Sequence, residues 1–79
     1  MSHHNLKIFR RFVLNRSKDE SGISGTGVVA EGLQFSSRKC VISWLSETPS
    51  IEIYDSIEEI RRIHGHQGET QIKWIDGSD

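Results

Sequence analysis

Residues 51–65 read IEIYDSIEEIRRIHG, and a change of period inside this stretch decides the fold. Ile51-Glu52-Ile53-Tyr54 alternates with period two, as a β-strand does, and Pro49 stands just before it, where no ladder donor is needed. From Ile57 the apolar residues recur three apart, at Ile57, Ile60 and Ile63, with Glu58, Glu59, Arg61 and Arg62 between them. That is one amphipathic helix. Ser56 followed by Glu59 makes a capping box, with Asp55 as the alternative cap. Gly65 is placed to end the helix in a left-handed conformation. So short a helix does not persist alone in water, so its isoleucine stripe has to dock on a sheet.

The sheet is written on either side of that helix. Leu6–Arg16 is dense in aromatic and branched residues and reads as a first strand, with Ile8, Phe12 and Leu14 on one face and Phe9 and Val13 on the other. Asn15 to Gly27 carries Ser, Asp and three glycines and reads as a loop. Val28–Phe35 and Lys39–Leu45 read as two arms of a hairpin turning at Ser36-Ser37-Arg38. Glu69–Ile75 is the last strand, with Ile72 and Trp74 on one face and Gln71 and Lys73 on the other. The expected fold is therefore α+β, a small curled antiparallel sheet in the order β-β-β-β-α-β, with one short helix packed on one face. It forms a single domain over residues 1–79, with a disordered tail at 1–5 and frayed residues at 77–79.

Composition narrows the function classes. A chain of 79 residues buries only about 60% of its unfolded surface, so its core is thin and needs a supplement. Cys40 is the single cysteine, which excludes an internal disulfide; its apolar setting predicts a reduced, buried thiol and a cytoplasmic protein. No apolar run has the roughly 20 residues of a membrane span, and no secretory signal is evident. A net charge of −1 argues against nucleic acid as a partner, since such binders are normally basic. Strands one and three are apolar on both faces, and one helix covers only one. The predicted supplement is association with further copies, a homo-oligomer.

Four groups of residues are candidates for chemistry. Ser21–Gly27 (SGISGTG) frees its backbone N–H groups to form an anion nest, with Ser24 and Thr26 adding hydroxyls around Gly25 and Gly27, and Arg16 just upstream. The segment runs into a strand, so it is neither a P-loop nor a dinucleotide fingerprint, and its bland reading is a glycine-rich turn. His64 and His66 flank Gly65; too few further ligands lie nearby for a metal, and a histidine at a helix C-terminus also serves the dipole. Glu31 shares a face with Val29, Leu33 and Phe35 under strict alternation, so either a bulge at Gly32 turns it outward or it is a site carboxylate. Trp74 reads as core, whereas Trp44 is open to either core or a stacking role.

The stretches Gly22–Gly32 (GISGTGVVAEG) and Ile63–Asp76 (IHGHQGETQIKWID) together resemble a family of small bacterial proteins sharing SGTGVVAEG and HGHxGxTxIxWxD motifs. The resemblance spans about Phe12 to Asp76. It implies a common fold and brings no activity, and the chain departs from it at Ser36–Lys39, where a tighter Asp-Gly turn is expected. The sequence thus points to a binding module without cofactor or metal. It would act as a homo-oligomer that takes an anionic, nucleotide-like small molecule through Arg16, Ser24, Gly25, Thr26, Gly27, Glu31, His64 and His66. A ligand-free interaction subunit and a histidine-dependent hydrolase are the alternatives.

Overall fold

The computed structural model describes residues 9–17, 27–65 and 68–77. The expected tail at 1–5, the start of the first strand, the nest residues Ser24, Gly25 and Thr26, His66 and residues 78–79 lie outside them. The described elements are β1 (Arg10–Arg16), β2 (Gly27–Gln34), β3 (Cys40–Trp44), β4 (Ile51–Tyr54), α1 (Ile57–His64) and β5 (Thr70–Trp74). They form one antiparallel sheet in the order β4-β3-β2-β1-β5, the α+β arrangement expected from the sequence.

Register decides which face each side chain takes, because residues directly opposite point the same way. Phe12 faces Gly32 and Trp74, Gly32 faces Ile42, and Ile42 faces Glu52. Leu14, Ala30 and Trp44 make a parallel row, and Gln34, Cys40 and Tyr54 another. This inner face, together with Ile57 and Ile60 of α1, is the core. The Phe12 ring lies close over Gly32 of β2. A Cβ added at Gly32 would fall 2.2 Å from the Phe12 ring, so the glycine is needed for close approach.

Ser56 caps α1: its hydroxyl accepts from the Glu59 N–H at 3.1 Å, and Glu59 reaches back to the Asp55 N–H at 2.8 Å. Two details of the helix differ from expectation. Ile63 is 46% exposed. A spacing of three falls short of a turn, so the stripe drifts, and by Ile63 it has rotated about 120° from Ile57. Position 64, seven residues on, returns to the buried side, so His64 points inward where Ile63 does not. Gly65 is right-handed, with φ −66°, and its N–H bonds the Arg61 carbonyl at 2.8 Å. The left-handed turn falls three residues later, at Gly68, with φ +93°.

Glu31 resolves without a bulge at Gly32. The register steps between Leu14 and Asn15, which face Ala30 and Val28, so Val29 is the extra residue. Glu31 lies opposite Val13 and Ser43 on the outer face and is exposed. No described element covers that face, so alternation there does not bury a carboxylate. The β2–β3 hairpin turns with Arg38 at φ 82°, a left-handed position that glycine fills more readily.

Candidate functional site

On β4 the usual logic of an alternating strand is inverted. Ile51 and Ile53 are 70% and 77% exposed, and the inward positions belong to Glu52 and Tyr54. The cause is pairing: β4 must place Tyr54 opposite Cys40 for its ring to cap the core, which sends the isoleucines outward. Glu52 then faces inward near the Trp44 indole, whose Nε1 donates to Oε1 at 3.0 Å. The Tyr54 hydroxyl donates to the same carboxylate.

His64 completes the group from the last turn of α1. Its Nε2 lies 2.7 Å from the Tyr54 hydroxyl, and its ring meets Trp44 and Tyr54 edge-on, with centroids 5.0 and 5.6 Å apart. A phenol has one proton. With that proton given to Glu52, the Tyr54 oxygen accepts from His64, so Nε2 carries a hydrogen. The Tyr54 and Trp44 donors hold the Glu52 carboxyl below the usual range, Tyr54 contributing most. Burial, reinforced by Glu52, pushes the Tyr54 phenol up and keeps it protonated. Four side chains from β3, β4 and α1 are thereby locked together.

Beside this group a trough of about 720 Å³ opens, walled by Val29 and Trp44 and by the residue 45–50 loop with Ser46, Glu47, Thr48 and Ser50. A second, more open cleft of about 460 Å³ lies over Glu52, Tyr54, Ile63 and His64. Arg16 sits at the same end of the sheet. It pairs with Gly27 across β2, which runs on to Val29 in the trough wall, and its Nε donates to Thr70 Oγ1 at 3.2 Å. The Thr70 N–H in turn bonds the carbonyl of Gly65 at 3.1 Å.

The family described as Acb5 phage protein matches residues 9–76. The chain belongs to that family. The match runs from before β1 to beyond β5, so membership in the Acb5 phage protein family covers the whole described fold. It is a phage family, where the sequence resemblance pointed to bacterial proteins. No curated protein and no solved structure matches the chain.

Of the residues singled out from sequence, the fold brings Arg16, Gly27 and His64 to one end of the sheet, joined through Thr70 and Gly65. Ser17 and Gly27, which flank the nest segment on the described side, are also at this end: the Ser17 N–H bonds the Glu69 carbonyl at 2.8 Å. Glu31 is not brought to them, since it stands on the opposite face. Glu52 and Tyr54 escaped sequence reasoning; the available signal was a strand whose polar members had to be its inward ones. Cys40 is fully buried, and that burial raises its thiol to about 11. Among the described residues no three His, Cys, Asp or Glu side chains converge as metal ligands. Among them also, no helix is long and apolar enough to cross a membrane.

Proposed function

We propose that this member of the Acb5 phage protein family is a small non-enzymatic binding module, working as a homo-oligomer. It takes an anionic, nucleotide-like small molecule at the Trp44–Arg16 end of the sheet. The observation that carries this reading is the setting of Trp44: a half-buried indole fixed by Glu52 that walls a trough of about 720 Å³ lined with hydroxyls. A planar ring stacked on an aromatic side chain gains about 1–3 kcal/mol, whichever base it carries. Ser46, Thr48 and Ser50 offer hydroxyls to its polar edge, and Arg16, outside the trough lining but at the same end of the sheet, would supply the positive charge for an attached phosphate that reaches beyond the trough. Glu52 is engaged by the Trp44 and Tyr54 donors and fixes the indole, so its charge, like that of Glu47 in the trough wall, is one that Arg16 has to offset.

The test uses Trp44 as its own reporter. In a Trp74→Phe background, titration with adenosine, guanosine and uridine monophosphates should quench Trp44 fluorescence, and inorganic phosphate should not. Arg16→Ala should weaken the response without abolishing it. No quenching by any of the three nucleotides would sink the reading and leave an interaction subunit without a ligand, which the exposed isoleucines of β4 favour.

A further inference from the structure

The outer face of the sheet lies outside the candidate site. Side by side across it run Ile53, Val41, Leu33 and Arg11, and next to them Ile51, Ser43, Glu31, Val13 and Lys73. The face is divided. Its β4–β3 half is aliphatic, with Ile51 and Ile53 70% and 77% exposed. Its β1–β5 half carries Arg11, held by Asp76 in a two-pronged pair at 2.8 Å, and Lys73. Glu31 stands between the halves and makes no hydrogen bond or ion pair with another described residue.

We infer that a second copy of this chain covers this face, sheet against sheet, about a two-fold axis running across the strands. This rests on the homo-oligomeric part of the function proposed above and names the surface that part requires. Charge selects the axis. A two-fold parallel to the strands would lay the isoleucine half over Arg11 and Lys73, stranding apolar groups against cations. A two-fold across the strands lays β4 on its own copy, so that Ile51 and Ile53 meet Ile53 and Ile51. It also sets Glu31 beside Arg11 of the partner subunit and Lys73 near the partner's Asp76, so both signs are answered twice. The size suffices. Five strands at about 4.8 Å spacing and about four residues deep make a face roughly 24 Å by 14 Å. With side-chain relief, two such faces bury on the order of 1,000 Å², the lower end for a specific interface.

The experiment is native mass spectrometry of the full chain over a dilution series, with three variants. Wild type is expected as a dimer. Ile53→Glu changes a side chain that is exposed within one chain, so it leaves the fold intact and should weaken the dimer on the order of 100-fold by burying an unpaired charge. Glu31→Arg and Arg11→Glu should each weaken it alone, by like-charge contact. Mixed together they should recover a heterodimer, because each chain then meets its opposite charge at both contacts, and no repair within one chain can mimic that. A wild-type monomer throughout the series overturns both this interface and the oligomeric reading. An oligomer indifferent to Ile53→Glu, or variants that stay apart when mixed, overturns the interface and leaves an oligomer formed elsewhere.

Discussion

Phe12 and Val13 are adjacent in one strand, equally suited to it, and they live in different environments. Phe12 is 1% exposed, its ring over Gly32 and edge-on to Trp74 at 5.3 Å. Val13 is half-buried on the outer face, between Glu31 and Lys73. The inner face is populated by rings and branched chains packed with α1; the outer face carries exposed aliphatic groups and charges, of which Arg11 is paired with Asp76. The contrast teaches that strand propensity placed both residues equally well. The difference in what they stabilise comes from the side that α1 covers: burial there supports the fold, and exposure on the other side leaves apolar surface open to solvent.

The largest difference between the two faces is expected on truncating either side of β1. Phe12→Ala should cost about 3–5 kcal/mol, and Val13→Ala, measured at low protein concentration, less than about 1 kcal/mol. A core in a chain this small rarely supplies more than about 3–5 kcal/mol, so circular dichroism should find the Phe12 variant largely unfolded at room temperature. Equal losses at the two positions would mean that the faces are not distinct.

Next in size is Gly32→Ala. The added methyl meets the Phe12 ring, and overpacking of this kind costs about 1–3 kcal/mol. Urea denaturation of this variant should show a lower midpoint, and an unchanged midpoint would remove the close approach from the inner face.

A smaller effect of opposite sign is expected at the β2–β3 turn. Arg38 is left-handed, a conformation costing non-glycine residues about 1–2 kcal/mol. Arg38→Gly should therefore raise the urea midpoint, reflecting a gain of about 1 kcal/mol in stability after the added freedom of glycine in the unfolded chain is set against the relief. It touches neither face and serves as the control.

The smallest effect concerns acid. Glu52 on the inner side is held below its ordinary value by Tyr54 and Trp44. Its contribution is present above the unfolded carboxylate value near 4.3 and is lost as pH falls through the depressed folded value. Thermal melts should thus decline below about pH 4.5, and Glu52→Gln should flatten that decline. Asp76, lowered to about 2 mainly by its hydrogen bonds from Arg11, should leave a residual slope at still lower pH in the same variant.

Much of the fold was legible because periodicity is local. The alternation at Ile51–Tyr54 and the Ser56–Glu59 cap fall where the sequence put them, and Phe12, Leu14 and Val13 divide between faces as read. What was not legible depends on pairing between distant segments. The extra residue at Val29 is set by how β2 lies against β1, and nothing local marks it. Ile63 looked like a third member of a stripe because spacing alone hides a slow rotation. The Trp44–Glu52–Tyr54–His64 group stayed hidden for the same reason: it exists only once β4 pairs with β3 and α1 folds back over both.

Where the strands begin and end has a practical reach. Gly77 lies close against Arg10, since a Cβ there would fall 3.5 Å from the Arg10 side chain, and Asp76 is clasped to Arg11. The way into β1 and the way out of β5 therefore share one corner, while Trp44 and Arg16 stand toward the other end of the sheet. A reporter, tether or host protein joined at both places would hold the unit as if by a two-stranded stem and leave the trough facing away. Linking the two and opening the chain at the Ser36–Arg38 turn would give a permuted version with the same sheet.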